Sequence, residues 1–123
     1  PDLTIDVDLG GTQIASTGAQ ALNNTVTDAD WHLTFMITCR STGATGKVVG
    51  SGLFEHDNDA QFGMVNTSEV SIDTTGSLAI DVTAQWGTAH ADNSITCQEA
   101  TIEIMKADDL AVASPSGLTA TEV

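Results

Sequence analysis

Apolar residues recur along this chain at a period of two, the spacing of β-strands, in which successive side chains face opposite ways. Residues 2–9 give the cleanest example. Leu3, Ile5, Val7 and Leu9 share one face, and Asp2, Thr4, Asp6 and Asp8 share the other. Gly10-Gly11 follows, a pair suited to the positive-φ positions of a tight hairpin turn, and a return strand is expected through Gln13, Ile14, Ala15 and Ser16. Residues 31–40 alternate again, with Trp31, Leu33, Phe35, Ile37 and Cys39 expected inward and His32, Thr34, Met36, Thr38 and Arg40 outward. Residues 77–86 do the same through Leu78, Ile80, Val82, Ala84 and Trp86.

Between these runs the pattern is weaker. Lys47 to Glu55 reads as a strand whose parity is blurred by Gly50 and Gly52, a pair that marks a bulge or a close backbone approach. Short strands are expected at 61–66 and 69–73. Two further apolar sets, Ile95 with Cys97 and Ala100 with Ile102 and Ile104, change parity near Gln98-Glu99, which predicts a bulge there. Turn-forming residues fill 41–46, 56–60 and 87–93. No helical stripe runs beyond a turn or two. Short strands separated by turns predict an all-β fold, an antiparallel β-sandwich of jelly-roll type. Residues 1–106 form the expected domain. Beyond Lys106 periodicity fails, and 107–123, with Leu110, Ala111 and Val112, reads as a tail or anchoring arm.

Composition narrows the partners. The 123 residues carry 17 acidic side chains against 3 basic ones, a formal charge of −14. Arg40, Lys47 and Lys106 are too few for a phosphate footprint, so neither nucleic acid nor an anionic membrane is an expected partner. A hydrophobic content of 41% suffices for a core, and the acids are therefore expected to coat it rather than to signal disorder. No run approaches the ~18 apolar residues of a membrane-spanning helix, and no signal peptide is legible at the start.

No catalytic constellation emerges. Gly-x-Ser-x-Gly is absent, and Gly50-Ser51-Gly52 lacks its spacing. Gly43-Ala44-Thr45-Gly46-Lys47 matches only the end of a phosphate-binding loop. No catalytic or cofactor-binding residue is assigned, and the chain is not expected to be an enzyme. Asp57 and Asp59 are weak metal candidates, as oxygen ligands on a loop without the EF-hand's glycine and glutamate. His32, His56 and His90 are far apart in sequence and propose no zinc site. Cys39 and Cys97, both on expected inward faces, are either a disulfide or two buried thiols. Trp31 and Trp86 have core parity but sit at strand ends, where a ring could be partly exposed.

Three stretches, 2–12, 31–46 and 72–97 (Ile72-Asp73-Thr74-Thr75, Leu78 to Ala89, Asn93 to Cys97), together resemble a jelly-roll domain of tailed-bacteriophage virion proteins found in heads, fibres or tails. The resemblance spans roughly residues 2–105 and brings no catalytic motif. It implies a capsid decoration or cement subunit on the outer head surface, a homotrimer bound to the major capsid protein. The alternative it implies is a tail-fibre or head-fibre domain that binds host glycans through loops 41–46, 56–60 and 87–93. The chain departs from the family by opening directly on its Leu-Thr-Ile strand, where the family has one or two strands ahead. Missing upstream strands, strands supplied by a neighbour, or a cleaved initiator methionine would each account for that. If the strands are absent, Leu3, Ile5 and Val7 belong to an edge strand that a partner chain covers.

Overall fold

A computed structural model describes residues 1–56, 61–66 and 68–106. Its eight strands are β1 (Asp2–Leu9), β2 (Thr12–Ser16), β3 (Gln20–Ala21), β4 (His32–Ser41), β5 (Gly46–Glu55), β6 (Gln61–Val65), β7 (Val70–Ile72) and β8 (Ile80–Trp86), and the described residues include no helix. All pairings are antiparallel and divide into two four-stranded sheets, consistent with the expected sandwich.

The two sheets repeat one plan. In the first, β1 is central, with β8 along one side and the short β2 and β3 end to end along the other. In the second, β5 is central, with β4 along one side and β6 and β7 along the other. A polar residue bridges each junction between short strands. Thr17 accepts the Ile5 N–H at its hydroxyl (2.9 Å) and donates its own N–H to the Ile5 carbonyl (2.9 Å), so β1 keeps hydrogen bonds between β2 and β3. Asn66 donates its N–H to the Gly50 carbonyl (3.1 Å) and its side-chain amide to the Ile14 carbonyl (2.8 Å), tying β5 to β2 across the sandwich.

Local sequence explains the details. Gly10 and Gly11 take φ of 59° and 81°, the left-handed values a two-residue hairpin loop needs, between paired Leu9 and Thr12. A bulge follows, where Val7 pairs with Ala15 and Asp8 with Gln13. The extra residue lets both Ile14 and Ala15 face inward, although they are adjacent. Gly50 and Gly52 are a close approach rather than a bulge. Cβ atoms there would sit 2.8 and 2.4 Å from the Phe35 ring, which crosses both glycines from the neighbouring strand.

The core joins the two sheets. Leu3, Ile5, Val7 and Ala15 of the first pack with Phe54 and Met64 of the second. Leu9 and Ile14 pack with Val48 and Ile72. His56 is also buried, its ring stacked on Phe62 at 5.2 Å and tilted against Phe54 at 5.6 Å.

Three expectations need correction. Leu3, Ile5 and Val7 lie on the central strand of their sheet, not at an edge, because β8 pairs along their whole length. Residues 77–79 precede β8 instead of belonging to it. Residues 94–105, expected to hold two strands and a bulge, form no strand. The tail expected at 107–123 lies outside the described residues.

Candidate interaction surface

Strands β4 and β8 are the long outer strands of the two sheets, and among the described residues the sandwich is open between them. The opening is a trough floored by the β1 side chains and walled by β4, β8, the 22–31 loop and residues 94–105. β4 keeps its alternation on the trough side, with Leu33, Phe35 and Ile37 partly buried against the core. β8 is less covered. Ile80 and Val82 occupy the face expected to be inward, yet they are 41% and 53% exposed. Among the described residues, each of these strands has a hydrogen-bonded neighbour on one side only. Unpaired backbone groups beside an apolar face are the usual template for strand addition.

Residues 94–105 border this trough without filling it. Ile95 packs against the core, and the Trp31 indole N–H donates to the Thr96 carbonyl at 3.1 Å, which fixes the start of the segment beside the first residues of β4. Further along, Ile102 and Ile104 are 67% and 71% exposed. Exposed branched side chains alternating with Glu99, Thr101 and Glu103 have the grammar of a strand without a sheet.

No family model, curated protein or solved structure matches this chain. Functional conclusions therefore rest on the residues themselves.

The sequence-derived candidates are dispersed. Cys39 and Cys97 are both free and exposed, so neither a disulfide nor a pair of core thiols is formed. Cys39 keeps its register opposite Val48 and its place on the trough side of β4, but among the described residues it is left uncovered there. Asp57 and Asp59 lie outside the described residues. Trp31 and Trp86 are half-buried and both pack against the same core cluster, which places them at one end of the trough. Among the described residues, no three His, Cys, Asp or Glu side chains converge as metal ligands.

Pairing brings together one group that sequence spacing concealed. His32 stands opposite Glu55, and with Asp30, Trp31, His56 and Gln61 they line a small cleft at the trough's end. Gln61 donates its amide to Glu55 Oε2 at 3.1 Å. Only the register of β4 against β5 could have revealed this.

On the outer face of the first sheet, Asp8 sits directly opposite Asp81. One carboxylate oxygen of Asp6 and one of Asp8 are buried without a hydrogen-bond partner among the described residues. Like charges facing one another across strands are destabilising. In the Asp73–Gly76 turn, the Thr75 hydroxyl donates to Asp73 Oδ1 at 2.6 Å and the Thr75 N–H donates at 2.9 Å. The hydroxyl first and the amide second hold that carboxyl below its usual range.

Proposed function

We propose that this chain is a structural protein of a tailed-phage virion, a jelly-roll decoration or cement subunit on the outer surface of the head. In this reading it acts without catalysis, as a homotrimer held on the major capsid protein. The observation that carries it is the apolar trough between β4 and β8, a half-closed sandwich whose exposed apolar face suits contact with another chain. The three stretches that resemble virion jelly rolls contain β1, β4 and β8, the strands that floor and wall this trough. Two antiparallel four-stranded sheets suit a jelly roll. Exposed acids such as Asp81 on the sheet's outer face suit a protein displayed to solvent, where a high negative charge keeps copies soluble.

The test is reconstitution. Purified protein is added to shells that lack it, and occupancy and the melting temperature of the shell are measured. Saturable binding that raises the melting temperature is the expected result, and absence of binding ends the decoration reading. A glycan array run in parallel should give no saturable signal; such a signal through loops 41–46 and 87–93 would favour a fibre domain instead.

A further inference from the structure

We propose that residues 94–105 of one copy enter the trough of a second copy and add there as a strand antiparallel to β4. The inference concerns the isolated protein and does not depend on its belonging to a virion.

Two incomplete features complement each other. The segment alternates Ala100, Ile102 and Ile104 with polar residues, and its isoleucines are mostly exposed. β4 offers Leu33, Phe35 and Ile37, partly buried, beside an edge that among the described residues is hydrogen-bonded on one side only. Setting Ile104 opposite Leu33 sets Ile102 opposite Phe35 and Ala100 opposite Ile37, so the apolar residues of both strands share the core face.

Direction and charge favour a second copy over the chain's own segment. The contacts of Ile95 and Thr96 start the segment at the Trp31 end of β4. Laid along its own β4 it would run parallel, the slightly weaker arrangement, whereas a segment arriving from another copy at the Ser41 end runs antiparallel. Its own β8 could accept it antiparallel. That alignment, with Val82 opposite Ile102 and Ile80 opposite Ile104, sets Asp81 opposite Glu103. On β4 the proposed register instead sets Glu99 diagonal to Arg40 and Glu103 diagonal to His32, the two groups on that strand that can carry positive charge. Passing a strand from copy to copy closes naturally into a small ring.

The test exploits this register. Thr38 and Glu99 are exposed and would lie opposite one another, so Thr38→Cys and Glu99→Cys are combined in a chain that also carries Cys39→Ser and Cys97→Ser. Oxidation with diamide should give covalent species of two or more chains on a non-reducing gel, lost on reduction. A disulfide closed within one chain, or none at all, overturns the proposal. Light scattering on the unmodified chain provides a second readout that no cysteine variant can confound. It should report a mass of more than one chain, falling to one in Ile102→Asp; a single-chain mass for the unmodified protein overturns the proposal equally.

Discussion

The two halves of this sandwich are written in the same alternating code and end differently. On the closed side, β2 lies against β5 and β6, and Asn66 ties the sheets together. Ile14 and Met64 are almost completely buried there, as are Leu3, Ile5 and Phe54 on the central strands that the two sides share. On the open side, β4 and β8 present equally regular patterns, yet Ile80 and Val82 remain substantially exposed. Alternation thus specifies a strand and the face it offers. Whether that face is covered depends on what lies across from it, which is a property of the assembled sheets.

Substitutions separate the halves most sharply in their cores. Phe54→Ala, at a fully buried position, should cost ~3–5 kcal/mol in urea unfolding, while Val82→Ala in dilute protein should cost ~0.5 kcal/mol or less. Equal costs would erase the distinction between closed and open sides. Gly52→Ala tests the seam between them. A Cβ there would lie 2.3 Å from the Thr34 carbonyl and 2.4 Å from the Phe35 ring, so a loss of ~1–3 kcal/mol is expected, with β4 displaced from β5. A neutral effect would mean that Phe35 does not lie across that glycine.

Smaller effects belong to the polar skin. Asp81→Asn removes the charge facing Asp8 and should stabilise the fold by a few tenths of a kcal/mol up to ~1 kcal/mol, with the gain shrinking as salt is added. The smallest change is a titration. Because Asp73 is held below the ordinary carboxylate range, its contribution to stability is complete above that range and fades as pH falls through the lowered value. Thr75→Val removes the hydroxyl donor, and the midpoint of the Asp73 carboxyl titration followed by NMR should then move up towards the usual carboxylate range. An unmoved midpoint would show that the hydroxyl is not the main cause.

The chain's own pattern made much of the closed side legible. Residues 2–9 became β1 with the expected faces, Gly10-Gly11 made the turn, and Gly50 and Gly52 marked a close approach. The open side was harder to read, for two physical reasons. Parity assigned Cys39 and Val82 to an inward face but could not say that, among the described residues, both would be left exposed. The segment 94–105 has strand grammar, but a strand also needs a neighbour to pair with, and that neighbour is set by tertiary placement. The same gap explains why Leu3, Ile5 and Val7 read as an edge: β8, the strand that covers them, is some seventy-five residues further on and pairs with β1 only in the folded sheet. The cleft joining His32 to Glu55 was hidden for a similar reason, since it follows from register rather than spacing.

Hydrogen exchange read by mass spectrometry, on the unmodified chain and on Ile102→Asp, tests the division into two halves most directly. The account predicts slow exchange in β1 and β5 of both proteins. It predicts protection of 94–105 and the outer amides of β4 in the unmodified chain alone, lost in the variant. Protection of 94–105 that survives in the variant, or loss of protection in β1 and β5 along with it, would contradict the account.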